Sequence, residues 1–426
     1  MNRRRYLLRS TTILGISAAL LSSSVVLPAS NHAPIAHAAA TSSGVDVTST
    51  IEQLGQPFKG GPYARNVWDM QVYDGKIYLG SGNSSNSGPS PNAGPVPIIY
   101  FDPATSQFVT EQVVSMDSKT GKKVTRDVTA DEQIDTFKII KGKLYIPGND
   151  SVVPGWKYGN FYERGNGNWT EYQNIPNALH VYDLAYYGGK LFAAIGTEDS
   201  PVVMMSGDDG KTWEPFARID SYGSRAYKFF QFKGKLYAAA IIMPDNQIWG
   251  DETHVLAIDS NLKATQQKVN GKHILPGMSF VQQAGKTPYS RISKTVVVNN
   301  QLVYIAGELY NDSQTMPEAL IAASNVNEGK RVQLPDAQAI PTDLLVRDNV
   351  LYVLAYSKQA DGSYMNRVYK TRNLKQWYPV LQFKRDTYAK SLELLNGDFY
   401  FGLGTDTKPL AASAGQILRV KAAMLK

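Results

Sequence analysis

A short pattern recurs seven times along this chain and limits the folds open to it more than any other sequence feature. Each copy has an alternating apolar run, then Gly or Asn, then a second apolar run. Gly and Asn tolerate the positive φ of a two-residue hairpin turn, and the flanking Val, Ile, Leu, Tyr and Phe favour strands. Each copy therefore predicts a β-hairpin. The copies lie at residues 69–78, 136–145, 183–192, 228–237, 294–304, 343–352 and 391–400.

Weaker strand signals follow the hairpins, so that each unit can hold four strands. The clearest examples lie at 97–101 and 108–114, 202–206 and 212–218, and 367–371 and 376–383. Successive turns lie 45 to 49 residues apart in four cases and 66 or 67 in two, which predicts loops inserted in the first and fourth units. Four strands per unit, repeated radially, is the plan of a β-propeller. We predict an all-β, single seven-bladed β-propeller of four-stranded antiparallel blades.

The two ends of the folded chain are expected to share one blade. Residues 416–421 offer one strand after the seventh hairpin, which leaves that blade one strand short. Residues 47–58, before the first hairpin, can supply the missing outer strand. Closing the ring in this way removes a free sheet edge. The propeller is therefore predicted to span residues 47–426.

The N-terminal segment has the features of an export signal. Four arginines in the first nine residues precede an apolar run at 13–27, and the small-x-small pattern ends at Ala38. This predicts a signal peptide at 1–38 that is cleaved before Ala39, a short linker at 39–46, and a secreted, extracellular protein. The apolar run is too short for a membrane span. The consecutive arginines also resemble a twin-arginine signal, so the choice of export route stays open.

Charge and cysteine content exclude several function classes. The net charge of +7 falls to +3 once residues 1–38, with four Arg and no acid, are removed. This is too little for a nucleic-acid-binding protein, which needs a concentrated basic patch. The chain has no Cys, which excludes thiolate zinc sites. Three histidines outside the signal, His180, His254 and His273, are far apart in sequence, so we predict no metal site and no cofactor; calcium has no matching ligand spacing.

One motif connects the chain to a known superfamily. Ser206, Asp208, Gly210, Thr212 and Trp213 match the Asp box, S-x-D-x-G-x-T-W. In these residues the sequence resembles the sialidase-like Asp-box (BNR) propellers and, more loosely, the kelch-like propellers. The resemblance implies a structural role at the outer hairpin of a blade, where the Ser and Asp tie the turn and the Trp packs between sheets.

A sialidase-like glycosidase is the lesser alternative that this resemblance brings. That family uses an arginine triad, a Tyr–Glu pair, an Asp acid and an early Arg-Ile-Pro segment. This chain lacks the Arg-Ile-Pro segment. Arg65, Arg225 and Arg291 can each enter the centre from a different blade, but the sequence does not show that they converge.

The residues that precede each innermost strand are the candidate ligand site, because they surround the central axis at one face of a propeller. Most of them are polar or aromatic, next to strands rich in apolar residues. We predict a ring of ligand-binding residues there, made of Arg65, Asn66, Trp68, Gln133, Asp135, Arg291 and Tyr388.

This mixture of residues also suits β-elimination of a uronate, and in residue types it resembles the rings of propeller polysaccharide lyases. Arg225 or Arg291 can neutralise the carboxylate, His180 can take the carbon-bound proton, and Tyr182 or Tyr227 can protonate the leaving oxygen. We therefore expect a monomeric, secreted propeller that binds an extracellular, acidic polysaccharide or cell-wall polymer. The sequence leaves open whether it also degrades this polymer, in which case it is a polysaccharide lyase or glycoside hydrolase. The alternative is a non-catalytic propeller that binds a protein, glycan or cell wall.

Overall fold

The computed structural model describes residues 43–59, 66–82, 95–116, 120–149, 158–197, 200–220, 225–240, 253–276, 289–309, 319–405 and 411–425. The predicted signal peptide, the first half of the predicted linker and the candidate residue Arg65 lie outside the described residues. Within the described ranges, no helix has the length and apolar character needed to cross a membrane.

The described residues form seven sheets, each built on a blade of four antiparallel strands as predicted, and two of the sheets carry additional outer strands. The first two blades and the preceding strands are β1 (Val45–Asp46), β2 (Glu52–Gly55), β3 (Asn66–Tyr73), β4 (Lys76–Gly82), β5 (Ile98–Asp102), β6 (Gln107–Glu111), β7 (Val113–Met116), β8 (Lys123–Arg126), β9 (Lys138–Ile140), β10 (Lys143–Pro147), β11 (Tyr158–Arg164) and β12 (Trp169–Pro176).

Blades three to five follow the same order of strands. Their elements are β13 (His180–Tyr187), β14 (Lys190–Gly196), β15 (Val202–Ser206), β16 (Glu214–Arg218), β17 (Ala226–Phe232), β18 (Lys235–Ala240), β19 (Thr253–Ile258), β20 (Ala264–Val269), the short helix α1 (Gly271–Ile274), β21 (Tyr289–Val298), β22 (Gln301–Leu309), β23 (Ala319–Ala323) and β24 (Gly329–Arg331).

The last two blades complete the chain. They comprise β25 (Ile340–Arg347), β26 (Val350–Lys358), β27 (Tyr364–Thr371), β28 (Tyr378–Arg385), β29 (Tyr388–Leu395), β30 (Asp398–Gly404), β31 (Ile417–Val420) and a final 3-10 turn (Ala422–Leu425). The innermost strands, one per blade, are β3, β9, β13, β17, β21, β25 and β29.

The ring closes as predicted. Strand β2 pairs antiparallel with β31, so that blade seven has the order β2-β31-β30-β29. Strand pairing begins slightly before the predicted boundary at residue 47, because β1 lies parallel to β28 with Val45 opposite Leu381. Part of the long spacing between the first two turns belongs to blade two, where β7 and β8 extend the outer edge beyond β12.

The apolar core lies between neighbouring blades. Seven buried clusters occur among the described residues, one for each pair of adjacent blades around the ring. The cluster between blades one and two contains Tyr78, Phe137 and Trp169, whose rings meet edge to face. The second strand of each blade is buried on both faces, which explains why these strands are almost entirely apolar.

Six of the seven innermost strands carry a β-bulge at the same position. The bulge residue lies seven positions before the turn Gly or Asn and has no partner in the ladder with the second strand. These residues are Trp68, Tyr182, Tyr227, Ser293, Thr342 and Lys390. A bulge redirects its side chain and is common at functional sites. The six residues therefore occupy equivalent places at the end of the channel where the inner strands begin, which we call the front mouth.

Candidate functional site

The blade-three and blade-four side of the front mouth holds a continuous group of rings. His180 stacks on Tyr182 with ring centroids 5.1 Å apart, and Tyr182 meets Tyr227 at 5.1 Å. The Arg291 guanidinium lies 5.4 Å from the centroid of Tyr227. Two bulge residues, Tyr182 and Tyr227, thus sit between His180 of blade three and Arg291 of blade five. The structure brings together four residues that the sequence analysis singled out.

Gly196 allows a fifth residue, Arg225, to join this group. A methyl group at Gly196 would lie 3.1 Å from His180 Cδ2, 3.1 Å from Tyr182 Cε2 and 3.2 Å from Arg225 Cγ. Gly196 also pairs with His180 in the sheet and forms a bridge with Arg225. The absence of a side chain at this position therefore lets three side chains from two blades converge.

His180 is held neutral with a defined tautomer. Its Nδ1 lies 2.8 Å from the carbonyl oxygen of Asn149. Because a carbonyl only accepts, Nδ1 carries the proton and Nε2 carries the lone pair. Burial, and then the neighbouring Arg225 charge, lower the pKa of His180 to about 4. At neutral pH the ring is therefore uncharged, and its Nε2 can accept a proton.

Asp135 is linked to His180 through Asn149, a residue that the sequence analysis did not single out. The side-chain amide of Asn149 donates a hydrogen bond to Asp135, and the backbone carbonyl oxygen of Asn149 accepts one from His180. Burial raises the pKa of Asp135 to about 6, although the Arg291 and Lys228 charges oppose the rise. The mouth thus contains a carboxyl group whose proton is lost close to neutral pH.

Cations and rings also meet on the opposite side of the front mouth, at blades six, seven and one. The Lys390 ammonium lies 4.3 Å from the Trp68 ring centroid and 5.1 Å from that of Tyr388. Tyr356 stacks on Tyr388 at 4.1 Å, and Tyr364 meets both rings. Tyr356 occupies the position in the second strand of blade six that Gly196 occupies in blade three. Its ring therefore reaches the front mouth from a second strand, whereas the predicted site residues precede the innermost strands.

Two predicted ligand-binding residues are buried beneath the mouth. Asn66 is 1% exposed, and its Oδ1 accepts a hydrogen bond from the Thr405 backbone at 2.8 Å. Gln133 is 3% exposed, on a segment bridged to Gly82 of blade one. Both residues lie where they join adjacent blades, and neither offers a surface to solvent.

A layer of charged side chains lies directly behind the bulge residues. Asp69, Asp183, Lys228, Lys294 and Asp343 each stand one position after a bulge. Lys294 Nζ lies 2.6 Å from Asp69 and 3.3 Å from Asp343, so one lysine joins blade five to blades one and six. This connection crosses the centre of the ring. The front mouth therefore has a charged floor.

The second half of this layer is centred on Asp183. Its carboxylate lies 2.7 Å from Lys138 Nζ and 3.6 Å from Lys228 Nζ. It also accepts backbone hydrogen bonds from Leu184 and from Phe229 of the next blade, each at 2.9 Å. Burial lowers the pKa of Lys228 to about 8, with Asp183 opposing the shift. The layer was not predicted as a site, although the first residue of every hairpin copy is polar.

The Asp box lies far from both aromatic groups, in the outer hairpin of blade three. Ser206 Oγ donates to Asp208 at 2.8 Å and accepts from the Gly210 backbone at 2.8 Å. Asp208 also accepts from the backbone and hydroxyl of Thr212, and these bonds lower its pKa to about 2. Trp213 meets Phe161 of blade two edge to face at 5.7 Å. This geometry is that of a turn clamp between blades.

Metal-binding geometry is lacking in the described part of the chain. No three His, Asp or Glu side chains gather there closely enough to hold an ion.

Comparisons with known proteins give similarity of low degree. No protein-family model matches the sequence, and no curated protein matches it. Among solved structures, a catalytically inactive variant of virginiamycin B lyase from Staphylococcus aureus with quinupristin is similar at 11% identity and a TM-score of 0.49, over 87% of this chain and 98% of that chain. A protein from Lactobacillus plantarum is similar at 11% identity and a TM-score of 0.41, over 61% and 74%. Neither similarity carries information about function, and the β-propeller fold follows from the strand pairing itself.

Proposed function

We propose that this chain is an exported β-propeller that binds an acidic polysaccharide outside the cell, with the sugar seated in the front mouth. The observation that supports the proposal best is the convergence of Arg225 and Arg291 with the rings of His180, Tyr182 and Tyr227, where the Arg225 charge acts on His180 and the Arg291 guanidinium lies over Tyr227. Aromatic rings offer an apolar face to a sugar, and guanidinium groups pair with carboxylates in a fixed geometry. A uronate residue presents both features at once.

Cleavage by β-elimination is the enzymatic form of this proposal, and the state of His180 favours it. The Nε2 lone pair of a neutral ring can take the proton from the carbon beside the uronate carboxylate. The electron pair then forms a carbon–carbon double bond, and the bond to the leaving oxygen breaks. Burial raises the pKa of Tyr227, so its phenol stays protonated and can supply a proton to that oxygen. Arg225 and Arg291 stabilise the charge that develops on the carboxylate.

Binding to a panel of acidic and neutral polysaccharides tests the proposal. Isothermal titration of the mature protein should give saturable binding with an acidic polymer and none with a neutral one. Arg291→Gln should weaken this binding by about tenfold, the expected size of one lost charge-assisted contact. Arg347→Gln is the matched control, because the guanidinium of Arg347, in blade six, pairs with Glu393 of blade seven. Equal binding of neutral polymers, or an equal loss in both variants, would contradict the proposal.

Ultraviolet absorbance of the unsaturated product separates a lyase from a binding protein. A rising signal that is lost in His180→Gln and strongly reduced in Tyr227→Phe, with binding retained in both, would establish elimination at this site. Binding without any rise would leave the non-catalytic alternative, in which the propeller holds a glycan, a protein or the cell wall. The sialidase-like alternative instead predicts release of a terminal sialic acid, which the same samples can report.

Export is a separate part of the proposal and has its own test. Mass spectrometry of the protein recovered from the culture medium should show an N-terminus at Ala39. A chain that retains residues 1–38, or that stays within the cell, would contradict it.

A further inference from the structure

A second cavity opens at the other end of the channel, where the innermost strands end, which we call the back mouth. Its volume is about 490 Å³, within the range of pockets that hold small organic ligands. Its walls come from the innermost strands of four consecutive blades, β9, β13, β17 and β21. Wall residues Leu184 and Phe229 directly follow Asp183 and Lys228 in sequence. The charged layer therefore separates this cavity from the front mouth.

The walls of the back mouth present polar and apolar surface in about equal amounts, and the apolar part extends to an exposed rim. Phe229 and Phe230 are buried in the wall, whereas Ile139 is 50% exposed and Val297 is 43% exposed at the rim. Six large apolar side chains are exposed among the described residues, and Ile139 and Val297 are two of them. The residue three positions before the turn is apolar or aromatic in six of the seven hairpin copies. Apolar surface that faces solvent in a concave place is typical of a binding site.

The charged side chains that line the back mouth are both lysines, and each pairs with a carboxylate outside the lining. Lys138 and Lys141 line the cavity, and no Asp or Glu is among its lining residues. Lys138 is already engaged by the buried Asp183. Lys141 pairs with Asp209 at 3.0 Å, and both side chains are largely exposed. An exposed ion pair has little net stability, so Lys141 can exchange Asp209 for an anionic group of a ligand.

We propose that the back mouth binds an amphiphilic anion, a small molecule with an aliphatic body and one acidic group, of the chemical class of a medium-chain fatty acid. The body packs against Ile139, Phe229 and Val297, and the acidic group meets the Lys141 ammonium. The proposal depends on this cavity and its charges, and it stands or falls independently of the function proposed for the front mouth.

Isothermal titration of the mature protein with sodium decanoate tests the apolar part of the proposal. We expect saturable binding of one decanoate per chain. Val297→Glu should weaken it by at least about tenfold, because a carboxylate then replaces apolar surface and repels the ligand. Val45→Glu is the matched control, because Val45 is 41% exposed on the edge strand β1. The affinity of this variant for decanoate should equal that of the unaltered protein. The absence of saturable binding, or the same loss in both variants, overturns the proposal.

The acidic end of the ligand is tested by removing one charge. Lys141 has a φ of 51°, which Asn tolerates better than most residues, so Lys141→Asn removes the ammonium with little backbone strain. Decanoate binding should weaken by roughly fivefold, the size of one partly exposed ion pair, while binding of the uncharged decan-1-ol stays the same. Lys143→Asn, whose ammonium pairs with Glu163 outside the cavity, should change neither. Equal effects of Lys141→Asn on both ligands would overturn the assignment of the anionic group.

Discussion

At the scale of single residues, His180 shows how burial and one neighbouring cation set a protonation state. Its folded pKa of about 4 lies below the unperturbed value of about 6.5. Between these values the unfolded chain binds more protons at this position than the folded chain does. The free energy of unfolding therefore rises with pH across this window, as far as His180 contributes to it. Above about pH 6.5 the ring is neutral in both states and the contribution is constant.

Removing the Arg225 charge should raise the pKa of His180, because that charge opposes protonation of the ring. We expect Arg225→Gln to move the titration midpoint upward by about half a unit to one unit, the effect of one partly screened charge. Proton NMR of the imidazole signals against pH measures the midpoint, and His180→Asn identifies the signal by its loss. Arg347→Gln, which alters a guanidinium in blade six, should leave the midpoint unchanged. A downward shift, or none, in Arg225→Gln would contradict this account.

The sequence allowed positions to be counted along each inner strand but could not resolve which side chains face the front mouth. Counting nine positions back from the turn selects both His180, which stacks on Tyr182 at the mouth, and Asn66, which the structure buries. The bulge residues Tyr182 and Tyr227 lie seven positions back. The difference comes from the bulge, an extra residue that shifts the alternation of faces and has no reliable signature in one sequence. Tyr356 was missed for another reason, since it reaches the mouth from a second strand through packing on Tyr388.

At the scale of the element, the hairpins were predictable because their turns are determined locally. Gly142 has a φ of 76° and Gly210 a φ of 89°, and both lie in turns that few other residues tolerate. The two glycines differ in their surroundings. A methyl group at Gly142 would meet nothing within 4 Å, whereas one at Gly210 would lie 2.7 Å from Phe161 Cζ of the neighbouring blade. Both turns therefore need a residue that tolerates positive φ, but only at Gly210 is the position of a Cβ blocked by the neighbouring blade.

Alanine at these two glycines should separate backbone strain from packing between blades. We expect Gly142→Ala to lower the free energy of unfolding by about 1 kcal/mol, through positive φ alone. Gly210→Ala should lower it by about 2–4 kcal/mol, because Phe161 must also move. Denaturant unfolding followed by tryptophan fluorescence measures both. Equal losses in the two variants would mean that the Asp box does not hold blades two and three together.

At the scale of the whole molecule, the charged layer connects blades that are distant in sequence. Lys294 of blade five reaches Asp69 of blade one and Asp343 of blade six, so its contacts depend on the ring being closed. No pattern along the chain reports such a pairing. Seven hairpins predict a ring, but they do not say which polar side chains meet across its centre. The only trace in the sequence is that the first residue of each hairpin copy is polar.

Lys294 should therefore stabilise the propeller more than Lys138, although both are lysines of the same layer. Lys294→Met removes the ammonium that Asp69 and Asp343 share, and we expect a loss of about 3–5 kcal/mol in the free energy of unfolding at pH 7. Lys138→Met should cost less, about 1–2 kcal/mol, because Asp183 keeps Lys228 and two backbone hydrogen bonds. Methionine retains most of the methylene packing in both variants.

The pH dependence of the same pair of variants identifies the cause of the loss. Burial raises the pKa of Asp343 to about 6, and the Lys294 charge opposes that rise, so Lys294→Met should raise it further. In the variant, Asp343 of the folded chain then binds a proton at a pH where the same group of the unfolded chain is ionised. The loss in the free energy of unfolding caused by Lys294→Met should therefore shrink as the pH falls from 7 towards about 4. Chemical denaturation at several pH values measures this. A penalty that stays constant with pH, or equals that of Lys138→Met, would show that Lys294 acts through packing and that the blades are not held together by charge across the channel.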